Sequence, residues 1–127
     1  MTTTADGTRP ATAQVHRLYE LIDAGDFTGV ASLFAPHATY HRPGQEVMAG
    51  RDAIERFYFE KRAIRSGAHT VATVVESGGD VAVRGSFSGT LVDGSEVSHR
   101  FAEFFELTDD GLFSRRDSFL FTPSFKE

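Results

Sequence analysis

The sequence predicts an α+β domain in which helices pack on one face of a curved antiparallel sheet. The first half of the chain carries apolar residues at helical spacing, interrupted by one short alternating stretch. The second half consists of alternating stretches separated by glycine-containing turn signals. Helices followed by a run of strands are typical of folds that place the two in separate layers. We therefore expect the order helix, helix, strand, helix and then a meander of four long strands.

Three helices are predicted in the N-terminal half. The first ends where Gly25 breaks the helical pattern of apolar residues. The second has apolar residues at helical spacing over 27–34, and Pro36 stops it. The third begins after Gly50 and runs to about Arg65.

One short strand precedes the third helix, and four long strands follow it. Residues 38–42 alternate between apolar and polar, and Pro43 ends this first strand. Asp-Gly pairs separate the later strands and are strong hairpin signals. Gly85 and Gly89 inside a strand predict bends or the close approach of another group. The four long strands are predicted over 69–76, 81–91, 96–107 and 112–121.

Length and composition exclude several function classes. Of the 127 residues, 1–10 form a polar stretch that predicts a disordered tail, and 11–127 form one domain. A net charge of −5 argues against a nucleic-acid or anionic-membrane partner, since both need a basic face. The chain has no Cys, no His pattern with metal-ligand spacing and no apolar run of membrane-spanning length. We expect a cytoplasmic protein without a metal or other cofactor.

The stretch 38–44, followed by residues 50–58, is predicted to form a small pocket. Tyr40 and Arg42 lie at the end of a strand, next to a helix rich in aromatic residues. The chain holds twelve Phe and three Tyr, and aromatic side chains line apolar cavities as readily as they fill a core. The strand end and the helix therefore predict the rim and wall of a site for a hydrophobic small molecule.

These segments resemble a known family. LIDAGDF (21–27), LFAPHATY (33–40), RPG (42–44) and GRDAI (50–54) are similar to the nuclear transport factor 2-like superfamily. Within it, the chain most resembles SnoaL-like polyketide cyclases and ketosteroid isomerase-like proteins, over about residues 11–122. The resemblance implies a cone-shaped sheet, three helices packed on its concave face, a deep apolar pocket and a homodimer formed through the sheet.

The catalytic residues of ketosteroid isomerase are only partly present. Leu18 occupies the position of its oxyanion-hole tyrosine, and Tyr19 is expected on a different helix face. Arg42 occupies the position of its proton-shuttling aspartate, and an arginine cannot accept a proton from carbon at neutral pH. Only its protonated carboxylic acid has a counterpart, Glu103. Steroid isomerisation by that mechanism is therefore not expected.

Two other members of the superfamily suggest a different acid. Arg100 and Asp117 loosely match the Asp–Arg–Asp set of limonene epoxide hydrolase, but its second carboxylate position falls on Ala102. SnoaL-like cyclases use an aspartate of the last strand as acid or base, and Asp117 resembles that residue. Asp117 is the catalytic acid if it points inward with Phe119, and a surface partner of neighbouring arginines if it does not.

Glu103 and Arg42 each have two interpretations. Glu103 lies in the apolar FAEFF stretch, so an inward position predicts a raised pKa and an acid role near neutral pH. Alternatively, Glu103 is a core carboxylate paired with Arg42 or Arg62, or an outer-face residue. Arg42 either binds a substrate carboxylate or enolate in the pocket, or lies at the surface or the rim of a dimer.

The sequence therefore predicts a small cofactor-independent enzyme that transfers a proton on a carbonyl-bearing hydrophobic molecule, in a cyclase, isomerase or dehydratase reaction. Glu103 or Asp117 would be the acid or base, and Arg42 would stabilise negative charge. The alternative function is a non-catalytic ligand-binding or dimerisation module of the same fold. The residues predicted to contact the ligand are Tyr40, Tyr58, Arg62, His69, Phe87, His99, Phe101 and Phe119.

Overall fold

The computed structural model describes residues 10–121 and confirms the predicted α+β fold class. The predicted tail, apart from Pro10, lies outside the described residues. The helices are α1 (Ala11–Ala24), α2 (Phe27–Ser32) and α3 (Arg51–Arg56), and a π-helical turn (Phe57–Lys61) follows α3 directly. The strands are β1 (Phe34–His41), β2 (Met48–Ala49), β3 (Ile64–Ser77), β4 (Asp80–Leu91), β5 (Glu96–Leu107) and β6 (Phe113–Phe121).

The six strands form one sheet in the order β2-β1-β6-β5-β4-β3. Strands β3 to β6 are the predicted antiparallel meander. Strand β1 lies parallel to β6, with His41 opposite Asp117, so the sheet is mixed. A parallel pair needs a long crossover connection, and most of the chain separates these two strands. Within residues 10–121, no helix is long and apolar enough to span a membrane.

Two element boundaries differ from the prediction. Strand β1 begins at Phe34, before Pro36, and its register with β6 shifts between Phe34 and Thr39. This irregular stretch accommodates Pro36, which cannot donate a ladder hydrogen bond. Helix α3 ends at Arg56, and β3 already begins at Ile64, so the third helix is shorter than predicted.

The concave face of the sheet and the helices enclose the core. Inward side chains of β5, at Phe101, Glu103 and Phe105, are buried. Glycines let the rings of this face lie against the neighbouring strands. A Cβ atom at Gly85 would lie 2.9 Å from the Phe101 ring, and one at Gly89 would lie 2.8 Å from the Phe87 ring. The close approach predicted at both glycines is therefore confirmed.

Candidate functional site

A small cavity lies between the helices and the concave face of the sheet. Its volume is about 30 Å³, and one buried water needs roughly 10–15 Å³. The cavity therefore has room for about two water molecules. Its lining residues are Ile22, Arg42, Tyr58, Arg62, Ile64, His69, Phe87, His99, Phe101, Glu103, Arg116, Ser118 and Leu120.

Glu103 is the buried anion of this cavity, with 2% of its surface exposed. Its Oε1 atom accepts a hydrogen bond of 2.6 Å from the Tyr19 hydroxyl on α1. Its Oε2 atom accepts a hydrogen bond from the Ser118 hydroxyl on β6. Arg116, next to Ser118 along β6, donates to both carboxylate oxygens, from Nε at 3.0 Å and from Nη2 at 3.1 Å.

Arg116 connects this carboxylate to two tyrosines. Its Nη1 atom donates to the Tyr58 hydroxyl at 2.8 Å. Its guanidinium lies 4.4 Å from the centre of the Tyr40 ring, a cation–π distance. The partner of Glu103 is therefore Arg116, whereas the sequence pointed to Arg42 or Arg62 for a paired carboxylate.

The electrostatic environment of Glu103 is the reverse of the predicted one. Burial raises the pKa of a carboxyl group, but the Arg116 charge and the hydrogen bonds from Ser118, Tyr19 and Arg116 outweigh it. The pKa of Glu103 is consequently lowered, and the side chain stays ionised at neutral pH. The expectation of a raised pKa was wrong, since it took account of the phenyl rings and missed these donors. An ionised carboxylate already accepting from three side chains is a poor proton carrier.

His69 and Asp23 form a second polar group at the cavity. The Asp23 side chain accepts a hydrogen bond of 2.9 Å from the His69 backbone N–H, through Oδ2. Its Oδ1 atom lies 2.6 Å from Nδ1 of the His69 ring. The imidazole stacks on Tyr19, with ring centres 4.8 Å apart. Asp23, at the end of α1, therefore fixes the ring of a histidine that lines the cavity from β3.

This pairing determines which ring nitrogen is available for chemistry. Burial lowers the pKa of His69, and the hydrogen bond and charge of Asp23 only partly oppose that effect. The imidazole is therefore neutral at pH 7, with its Nδ1 proton held by Asp23. Nε2 then carries the free lone pair, so His69 can accept a proton there.

Arg42 and Arg62 bring two further charges to the cavity. Arg42 donates from Nη1 to the Tyr40 hydroxyl at 3.2 Å, and its guanidinium lies 5.4 Å from the centre of the Phe57 ring. The guanidinium of Arg62 lies 5.5 Å from the Tyr58 ring centre. The π-helical turn leads directly into Arg62, whose backbone N–H donates to the Phe57 carbonyl at 2.9 Å.

Most of the residues predicted for the pocket line the cavity. Tyr40 is fully buried and lies behind Arg42 and Ser118. Its hydroxyl accepts a hydrogen bond from Arg42 and lies 3.2 Å from Ser118 Oγ, to which it donates because the Ser118 proton is held by Glu103. Tyr40 therefore supports lining residues and does not itself line the cavity. The predicted residues at the lining are Arg42, Tyr58, Arg62, His69, Phe87, His99, Phe101 and Glu103.

Asp117 and Phe119 lie on the opposite face of the sheet, so the interpretation that placed both inward is wrong, and the alternative, Asp117 as a surface partner of a neighbouring arginine, is confirmed. Asp117 pairs with the exposed Arg115, whose Nε lies 3.1 Å from Oδ2. His41 Nδ1 lies 3.0 Å from Asp117 Oδ1, without the geometry of a hydrogen bond. Phe119 is 49% exposed. Strand β6 turns Arg116 and Ser118 inward, and its exposed aromatic residues, Phe119 and Phe121, belong to an apolar outer face.

Four functional residues were missed from the sequence: Tyr19, Asp23, Arg116 and Ser118. Tyr19 was assigned to a different helix face, yet its hydroxyl reaches Glu103. The alternation of β6 was compatible with an inward Arg116 and Ser118, and only pairing with β5 resolves it. No local pattern indicates Asp23, because its partner His69 lies far along the chain. Within residues 10–121, no group of three His, Cys, Asp or Glu could hold a metal ion.

Comparison with known proteins confirms the family resemblance. The family model of the SnoaL-like domain matches residues 15–116 of the chain. No curated protein sequence matches it.

Solved structures share the fold at low sequence identity. An NTF2-like protein from Burkholderia pseudomallei K96243 has a TM-score of 0.77 and 19% identity, covering 87% of this chain and 89% of its own. The epoxide hydrolase/cyclase-like enzyme SalBIII also has a TM-score of 0.77 and 19% identity, covering 87% of this chain and 89% of its own. SalBIII is associated with pyran ring formation in the polyether salinomycin. TerC, co-crystallised with polyporic acid, has a TM-score of 0.76 and 18% identity, covering 88% of this chain and 92% of its own. At these identities the similarity establishes the fold alone.

Proposed function

The chain belongs to the SnoaL-like domain family, and from that premise we propose that it is a cofactor-independent enzyme that transfers a proton on a carbonyl-bearing small molecule. The observation that carries this proposal is the His69–Asp23 pair at the cavity. A neutral imidazole whose other nitrogen is held by a carboxylate is a common form of general base. The fold that the chain shares with the epoxide hydrolase/cyclase-like enzyme SalBIII is compatible with this proposal.

In the proposed reaction, Nε2 of His69 removes a proton from a carbon next to the carbonyl group. The electron pair of the broken C–H bond moves toward the carbonyl oxygen, which becomes an enolate oxygen. Arg42 stabilises that negative charge. Asp23 holds the ring orientation and stabilises the imidazolium that forms, and His69 then returns the proton to another atom of the substrate. The cyclase, isomerase and dehydratase outcomes all share this first step.

We assign Glu103 a positioning role in place of the acid role that the sequence suggested. Its carboxylate fixes Tyr19 from one side and Arg116 from the other. Tyr19 in turn stacks against His69, so the ion pair supports the surface on which the base lies. Asp117 has no part in this proposal, because it lies on the outer face.

Proton transfer can be tested before the natural substrate is known, by incorporation of deuterium from D₂O into simple carbonyl compounds. The panel is butanone, cyclohexanone, 2-oxobutanoate and acetoacetate, followed by proton NMR. Exchange above the buffer rate, lost in His69→Gln, is expected. Exchange that persists unchanged in His69→Gln would remove His69 from the mechanism.

A second candidate function, a ligand-binding module without catalysis, is favoured by the small volume of the cavity, about 30 Å³. This function predicts that a ligand stabilises the protein against heat and is recovered without a change in mass or isomer. If the protein is an enzyme, the recovered molecule should instead be a changed product or contain deuterium.

We also propose that two copies of the chain form a homodimer through the outer face of the sheet. Phe104, Phe119 and Phe121 are 52%, 49% and 46% exposed on adjacent strands. The rings of Phe104 and Phe119 are in edge contact, with centres 5.8 Å apart. A contiguous exposed aromatic surface is typical of protein–protein interfaces.

A further inference from the structure

Two guanidinium groups at the cavity have no carboxylate partner. Arg116 is balanced by Glu103, and on the outer face Arg115 is balanced by Asp117. Neither Arg42 nor Arg62 forms an ion pair with any Asp or Glu of residues 10–121. Both are partly buried, and both lie against aromatic rings. Buried charges in proteins are normally paired, so these two cations lack the partner that their position calls for.

The charge of Arg42 also acts on Arg62. Burial lowers the pKa of Arg62, and the positive charge of Arg42 contributes in the same direction. The cavity lining holds three guanidinium groups against the single carboxylate of Glu103. The chain as a whole carries a net charge of −5, so this positive interior is a local feature. An anion in the cavity would relieve the repulsion between the two arginines.

We propose that the substrate is a carboxylic acid that also carries a carbonyl group, with Arg62 binding its carboxylate and Arg42 its carbonyl oxygen. The proposed proton transfer needs one cation for the enolate charge, and the second free arginine fits a charge that the substrate carries permanently. A guanidinium presents two parallel N–H donors to a carboxylate, which gives both orientation and affinity. The role given to Arg42 rests on the proposed function, whereas the anion site does not.

The arrangement also indicates how such an acid enters. Arg42 and Ser118 line both the cavity and a groove of about 410 Å³ on the other side of these two residues. The groove lies where β6 continues beyond the end of β1. Val47 and Phe119 form its apolar walls, and the paired Arg115 and Asp117 also line it. Arg42 donates one hydrogen bond within the part of the chain that the structure describes. Displacement of its side chain toward a ligand would join the two spaces and make room for an acid larger than the cavity alone admits.

The test is a comparison of acids with amides of the same shape by NMR titration of the 13.9 kDa protein. The probes are butanoate against butanamide and benzoate against benzamide, observed through arginine Nε–H signals and backbone amides. We expect each acid to bind at least tenfold more tightly than its amide. Arg62→Gln should weaken acid binding about tenfold and leave the weak amide binding unchanged. Arg42→Gln should weaken acid binding less than Arg62→Gln does, because these acids carry no ketone oxygen for Arg42 to bind. Arg65→Gln is the matched control, because it removes one positive charge from an exposed position on β3.

Equal binding of acids and amides by the wild-type protein, or no binding of either, would overturn the inference. Equal losses in Arg65→Gln and Arg62→Gln would also overturn it, since the effect would then be one of net charge. If a Gln variant fails to fold, Arg62→Lys retains the charge without the paired donors and should weaken acid binding less than tenfold. Deuterium exchange into butanone without acid binding would leave the proposed function standing and this inference refuted. Acid binding without deuterium exchange would support the anion site and refute the proposed proton transfer.

Discussion

At the scale of single residues, Glu103 shows how donors decide what a buried carboxyl group does. The flanking phenylalanines predicted a neutral acid, and burial does act in that direction. Arg116, Ser118 and Tyr19 reverse the outcome because each donates a hydrogen bond to the ionised form. These three residues come from two other elements, so no local pattern in β5 could have predicted them.

Glu103→Gln should destabilise the protein by about 3–5 kcal/mol, since it leaves the buried Arg116 without its counter-charge. The check is urea denaturation against Glu106→Gln, which removes a carboxylate from an exposed position of the same strand. Because the folded-state pKa of Glu103 is lowered, its stabilisation is present above the unfolded pKa of roughly 4.3 and is lost as pH falls through the folded value. The difference in free energy of unfolding between the wild type and Glu103→Gln should therefore become smaller at acidic pH. A gap below about 1 kcal/mol at pH 7 would contradict the buried ion pair.

His69 should act as a base whose pKa lies below the ordinary histidine value of roughly 6.5. The rate of catalysed deuterium exchange should then fall as the solution is made more acidic, with an apparent pKa below the ordinary histidine value. Asp23→Asn removes the interactions that raise the pKa of His69, so the acid limb should move to lower pH while the maximal rate falls. A pH profile unchanged by Asp23→Asn would show that Asp23 does not position the base.

At the scale of elements, sequence patterns predicted the presence of the long strands. They were less successful in predicting which side chains of each strand point toward the core. Strand β5 was read correctly, because its apolar and charged residues alternate through Phe101, Glu103 and Phe105. In β6 both faces carry apolar residues, so the exposed Phe119 suggested the wrong inward face. Alternation cannot choose between two apolar faces without knowledge of which one meets the helices.

The π-helical turn is an element that helical spacing could not predict. The pattern around Phe57 and Tyr58 fits a continuous α-helix as well as the observed α3 and the wider turn after it. π-Helical turns of this kind are frequent at functional sites. Here the turn includes Tyr58 and ends next to Arg62, and both residues line the cavity.

Gly67→Ala should destabilise the sheet at the cavity floor. A Cβ atom there would lie 2.3 Å from the Phe87 ring, and that ring also packs against Gly89 and the His69 ring. Overpacking of this kind costs about 1–3 kcal/mol, measurable by thermal denaturation. Gly79→Ala is the matched control, because its Cβ would meet a backbone oxygen at 3.4 Å. Equal stabilities of the two variants would contradict the described packing of Phe87.

At the scale of the whole molecule, the fold class and the order of the long elements followed from the sequence. The parallel pairing of β1 with β6 did not, because residues so far apart in the chain leave no local signal. The cavity volume could not be predicted either, since it depends on how rings such as Phe87 and Phe101 orient over glycines. The positions of Glu103, His69 and Arg42 at one cavity were predicted, but their partners were not.

The proposed homodimer should have a mass about twice the 13.9 kDa of the chain, measured by light scattering. Phe104→Glu places a charge in the apolar outer face and should give the monomer mass, because an unpaired charge is costly to bury in an interface. Val92→Glu is the control, an exposed apolar residue in the turn after β4. A wild-type mass near 13.9 kDa would refute the dimer.

The most direct test of the proton-transfer claim is the rate of deuterium incorporation into the best carbonyl compound of the panel, at pH 7. His69→Gln removes the proposed base, and His37→Gln removes an exposed histidine of β1 outside the cavity. We expect the wild type and His37→Gln to exchange deuterium at the same rate and His69→Gln to be slower by about 10²-fold or more. Equal rates in all three proteins, with His69→Gln correctly folded, would contradict it.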